Sequence, residues 1–220
     1  YVIDKLLEQY NRIDLKECIY STMKELIING IKANIKHTIF KEKHINHNSE
    51  KSLSKGLVSL KKLLEEKNLH ELEKKAIENN LFIKLTIVHS PNRIISFIEN
   101  NTEMTQKEDM RIREKFITAL EYDNLADYYL NHVDEVEGMG LGITMIVLLL
   151  KGSNIDPHSF TIQTDRENIT TAKIVFPISN DYVLERNTKN RLIIKKKTPK
   201  KKSISKKKAA PKKKKAGRKK

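Results

Sequence analysis

Residues 24–34, Lys24-Glu25-Leu26-Ile27-Ile28-Asn29-Gly30-Ile31-Lys32-Ala33-Asn34, constrain the fold more than any other stretch. Glu25, Asn29 and Lys32 stand at i, i+4 and i+7, so on a helix they line up as one polar stripe. Leu26, Ile27, Ile28 and Ile31 flank that stripe and can bury the same helix against a sheet. A carboxylate, an amide oxygen and an ammonium in line supply what a magnesium-bound phosphate chain needs: a base, a hard oxygen ligand and a counter-charge. The stripe also fits an ordinary solvated helix face, and taken alone it favours that plainer reading.

The rest of the chain reads as elements around this helix. Residues 1–10 carry Val2, Ile3, Leu6, Leu7 and Tyr10 on a helical period. Asp14, with Glu17 three residues on, has the form of a capping box and predicts a helix over about 15–40. His44 and His47 have a metal-compatible spacing, but no carboxylate or cysteine completes a ligand set. Leu53, Leu57, Leu60 and Leu64, continued by Leu69, Leu72 and Ala76, predict a helical insertion over about 41–80. The period then changes. Residues 82–88 and 93–98, separated by Ser90-Pro91-Asn92, form an expected hairpin, followed by a loop from Glu99 to Met104 and a helix over 108–120. Residues 121–137 give no clear pattern. Gly138-Met139-Gly140-Leu141-Gly142 opens into the apolar run 143–150, where free helix-start amides can face an anion. A second hairpin over 159–163 and 172–178 closes the body, with Pro177 at a strand end.

Charge divides the chain. Residues 195–220, from Lys195 to Lys220, hold 15 Lys and one Arg with no acid, so of the 43 basic residues 27 remain in the body against 28 acids. We expect a near-neutral domain over 1–180, a linker over 181–194 and a disordered Lys-rich tail over 195–220. Roughly 190 residues suffice for one buried core. Cys18 is the only cysteine, which excludes an internal disulfide and fits a reducing, cytoplasmic setting. No apolar run approaches the ~20 residues of a membrane helix.

In this order the pieces resemble the ATP-binding domain of the GHKL superfamily, which includes histidine kinases, gyrase and anti-sigma serine kinases. The resemblance covers about residues 14–178. It implies an α+β fold, a two-layer sandwich of the Bergerat type with helices on one sheet face, binding ATP and magnesium. Glu25 is then the expected catalytic base, Asn29 the magnesium ligand and Lys32 a phosphate contact. Gly138, Gly140, Leu141 and Gly142 resemble the second glycine box, and Thr171 falls on the closing strand of the site. In the first glycine box Glu99 stands in place of the Asp that receives adenine and Asn100 matches the pattern, while Asn101 and Glu103 replace glycines. No His precedes His37, so a phosphoacceptor lies upstream of Tyr1 or on another protein; His70-Glu71-Leu72 reads as an ordinary helical segment.

Two functions follow as expectations. One is an ATP-dependent protein kinase or ATPase module of a signalling protein, with the nucleotide turned over or held as a structural ligand. The other is a catalytically inactive relative, a protein-interaction platform held on nucleic acid by its tail. The tail's 16 charges suit counterion release from nucleic acid, and no aromatic group is present there to insert into a bilayer.

Overall fold

The computed structural model describes residues 2–42, 69–132, 141–179 and 182–184. In chain order the elements are α1 (Val2–Gln9), α2 (Lys16–Glu42), α3 (Leu69–Glu78), β1 (Ile83–Ser90), β2 (Arg93–Asn100), α4 (Gln106–Leu120), α5 (Leu125–Asn131), α6 (Leu141–Gly152), β3 (Phe160–Thr164) and β4 (Thr170–Pro177). The fold is α+β, with an antiparallel sheet in the order β1-β2-β4-β3. By contacts the chain divides into Tyr1–Tyr182 and Val183–Lys220. His44, His47, the Leu53-to-Leu64 stripe, Gly138, Gly140 and the tail lie outside the described residues.

The core follows from strand alternation. Ile94 and Ile98 of β2 and Ala172, Ile174 and Phe176 of β4 fall on one sheet face. There they join Ile3 and Leu7 of α1, Ile19, Met23 and Leu26 of α2, and Ile146 and Leu150 of α6 in one buried cluster. Helix α2 runs 27 residues along this face. Its start differs from the expected capping box. Asp14 sits in a single 3-10 turn, Ile13–Leu15, and pairs with the Arg12 guanidinium at 3.0 Å instead of capping α2. Arg12 also donates to the carbonyls of Pro177 and Ile178 at 3.0 and 2.8 Å, so this turn clamps the end of β4. Nearby, the Lys16 ammonium 2.9 Å away holds the Asp4 carboxyl down to about 2 and ties α1 to the start of α2.

Helices α1, α3 and α6 stop by one device. Asn11, Asn80 and Asn154 take φ of 53°, 52° and 55°, left-handed values that asparagine tolerates better than most residues. The next amide then reaches back five residues: Arg12 N to Leu7 O at 2.9 Å, Leu81 N to Ala76 O at 2.8 Å, Ile155 N to Leu150 O at 2.9 Å. These bonds satisfy carbonyls that a helix end otherwise leaves open.

Candidate functional site

Three elements meet at the middle of α2. Glu25 and Asn29 are half-buried on α2, and Gly142, the second residue of α6, presses directly on both. A Cβ added to Gly142 would stand 2.9 Å from Glu25 Cδ and 3.0 Å from Asn29 Nδ2, and would collide with Glu25 Oε1. Glycine thus permits this close approach, and any side chain here would displace the ends of Glu25 and Asn29. The contact brings the first turn of α6, the end of a helix that carries partial positive charge, beside a carboxylate and an amide. Among the described residues Glu25, Asn29 and Lys32 have no hydrogen-bond or ion-pair partner. Three half-buried polar side chains left open along one stripe are what a bound polar ligand would satisfy.

The third element is the sheet end. Gly30, next to Asn29, is buried against β1 and β2: a Cβ there would meet Ile83 Cδ1 at 2.8 Å and Asn100 Oδ1 at 3.7 Å. Asn100 ends β2 and faces Thr170, which begins β4. Both are buried, and both share the face that carries Ile98 and Ala172.

Two expected site residues fall elsewhere. Glu99 and Thr171 pair across β2 and β4, but each is one residue out of phase with Asn100 and Thr170 and therefore lies on the opposite sheet face. There Glu99 forms an ion pair with Lys84 of β1 at 3.0 Å. On the sheet face that α2 packs against, the position next to Glu99 is held by Asn100, whose amide oxygen can also accept. Glu103 is exposed. Asn101 does not adopt positive φ; it accepts from Phe82 N at 2.9 Å and donates to Asn80 O at 2.8 Å, joining the loop to the end of α3. Leu141 is the first residue of α6, and Gly142 is the glycine-box member whose contacts are described.

Sequence reasoning missed the polar packing around Asn100. Asn34, one turn after Gly30, is buried, as is Thr102. Asn34 Nδ2 donates to Phe82 O at 3.0 Å, and Thr102 Oγ1 contacts Asn34 Oδ1 at 3.3 Å. The usable signal was Asn34 itself, an amide at i+4 from the helix's glycine. Farther along α2, Lys36 pairs with Glu108 at the N-terminus of α4. Glu108 also completes a capping box with Thr105, each side chain bonding the other's backbone amide.

That pair has a measurable consequence. Burial alone would raise the Glu108 carboxyl, but the Lys36 ammonium and the Thr105 donors outweigh it, and the group sits below the usual carboxylate range. A depressed carboxyl contributes stability that is complete above its unfolded value and is lost as pH falls through the folded one. Lys36→Met is expected to cost about 1–2 kcal/mol at pH 7, measured by urea denaturation. The gap from wild type should close as pH drops below the carboxylate range; a gap independent of pH would show that lost packing, not charge, is responsible.

Cys18 offers no nucleophile. It is buried, its thiol contacts Leu149 O at 3.6 Å, and burial pushes its pKa up. Among the described residues no His, Cys, Asp and Glu cluster could hold a metal by itself, and no helix is long and apolar enough to cross a membrane.

Comparison with known proteins adds a distant relative. No family model matches the chain, and no solved structure does. An uncharacterized protein of Treponema pallidum (strain Nichols) is 27% identical over 178 residues, 80% of this chain and 34% of the relative. The chain thus spans about a third of that protein's length.

Proposed function

We propose that the chain is the nucleotide-binding module of a GHKL-type signalling protein, with magnesium-ATP seated between α2, the start of α6 and the β2–β4 end. The observation that carries this reading is the contact of Gly142 with Glu25 and Asn29. It sets the Glu25 carboxylate and the Asn29 side-chain amide beside the first turn of α6, an arrangement that supports seating one polyphosphate there. In this reading Asn29 holds magnesium through its amide oxygen, Lys32 contacts phosphate, Glu25 removes the proton from the attacking group, and Asn100 takes the base-recognition role first expected of Glu99. Any phosphoacceptor belongs to another segment or another protein.

The experiment is γ-phosphate release from magnesium-ATP by the full chain and by Glu25→Gln. The substitution keeps shape and hydrogen bonding but removes the base, so binding should hold within about threefold while turnover falls by roughly 100-fold or more. Unchanged turnover would remove Glu25 from the chemistry. Saturable binding without wild-type turnover would make the nucleotide a structural ligand.

The turn of Glu99 to the outer sheet face favours a second reading, in which a relative with an altered base site serves as an interaction platform. In both readings residues 195–220 contact nucleic acid through phosphates, with an affinity that falls steeply as salt rises.

A further inference from the structure

Asn100 ends in an amide, and an amide can face a ligand with either an acceptor or a donor. The packing behind it decides which. Asn34 Nδ2 donates to the backbone carbonyl of Phe82 at 3.0 Å. A carbonyl only accepts, so Asn34 must turn its NH2 there and its oxygen toward Thr102. That oxygen also only accepts, so the Thr102 hydroxyl spends its proton on Asn34 at 3.3 Å. What remains on Thr102 Oγ1 is a lone pair, and Asn100 Nδ2 donates into it at 2.5 Å. The same Nδ2 donates to the Thr102 carbonyl at 3.3 Å, another group that only accepts.

A second run of bonds fixes Thr102 from the far side. Met104 N donates to Thr164 Oγ1 at 3.1 Å, Thr164 and Thr170 share a hydrogen bond at 2.8 Å, and Thr170 Oγ1 donates to the Thr102 carbonyl at 2.7 Å. Every link points one way, and both runs end on backbone carbonyls. The one group left over is Asn100 Oδ1. Asn100 is 5% exposed, and no donor among the described residues reaches that oxygen, which is turned toward Gly30 of α2.

Building on the nucleotide reading above, we infer that Thr102 and Asn34 are positioning residues that lock Asn100 as a pure acceptor, so that the site selects a nucleotide base bearing an exocyclic amino group, as adenine does, over an oxo base such as guanine. A neutral amide held this way offers the base the same face as a carboxylate. A free amide would not, because rotation by 180° would present NH2 and accept guanine equally well. Thr102 therefore sets specificity without touching the ligand.

The test is competition of magnesium-ATP and magnesium-GTP for the full chain. Charge-driven binding to the tail adds equally to both nucleotides and would flatten their ratio, so the competition is read at salt high enough to remove it. Wild type should prefer ATP by about 10-fold or more, the value of one mismatched buried hydrogen bond. Thr102→Val removes the hydroxyl at nearly constant volume and should shrink the preference to about threefold or less, whereas Thr102→Ser should keep it. Asn100→Asp in the Thr102→Val background should restore the preference, since a carboxylate has no donor to expose. If Thr102→Val gives no cooperative melt, Asn34→Leu tests the relay one link farther on, with the same loss expected. Failure of wild type to bind either nucleotide would overturn the nucleotide reading and this inference together. Equal binding of ATP and GTP by wild type, or full preference in folded Thr102→Val or Asn34→Leu, would overturn the relay alone.

Discussion

Gly142→Val is expected to leave the protein folded and to weaken magnesium-ATP binding by roughly 100-fold, a loss of about 2.7 kcal/mol. Glycine inside a helix is less favourable than a residue with a side chain, and Gly142 is in the first turn of α6, where no unusual φ would penalise valine. The new side chain nevertheless needs the space that Glu25 Oε1, Glu25 Cδ and Asn29 Nδ2 fill. Glu25 and Asn29 are half-buried side-chain ends without partners, so they can swing away at little cost to the fold. Swinging away takes both side chains, proposed above as base and magnesium ligand, away from the start of α6 together. Stability and binding should thus separate: a thermal melt within a few degrees of wild type, alongside a lost nucleotide-induced shift. A melt lowered by ten degrees or more would show that the contact is structural packing.

Phe176→Ala should have the largest effect on stability, about 3–5 kcal/mol. Phe176 is fully buried on β4, faces Ile94 of β2 in register, and belongs to the cluster that joins α1, α2 and α6 to the sheet. Domains of this size are typically stable by about 5–15 kcal/mol, so the variant would lose much of its margin. At about 2–4 °C per kcal/mol, the melting temperature should fall by roughly 10 °C. A drop of only a degree or two would mean that the cluster collapses readily around the missing ring.

The hairpins and main helices were legible because their periods are distinct: β1, β2, β3 and β4 fall within about two residues of the predicted runs, and α2 within two residues of its bounds. The phase of β2 was not. Ile94-Ile95-Ser96-Phe97-Ile98 is apolar on both faces, so alternation cannot tell which side meets α2. The side that does carries Ser96 and Asn100, the polar members, so Asn100 and Thr170, not Glu99 and Thr171, lie on the face toward α2. Helix α5 was missed although Asn124 caps it by accepting from Asp127 N; a seven-residue segment has too few turns to show a period. The asparagine helix stops were equally hidden, since attention falls on glycine at such ends, yet Asn80-Leu81 and Asn154-Ile155 carry the apolar residue that usually follows one. The pairing of Glu25 and Asn29 was legible in spacing alone, but their contact with Gly142 joins positions more than a hundred residues apart and required the fold.

The measurement that bears most directly on the central claim is calorimetric titration of ATP into the full chain, with and without magnesium, using Gly142→Val as the blank that retains the polycationic tail. Saturable binding at one site per chain, dependent on magnesium and absent from the variant, is the predicted result. Heats that are identical in wild type and Gly142→Val, and that vanish together as salt is raised, would assign all binding to the tail and contradict a nucleotide site on α2.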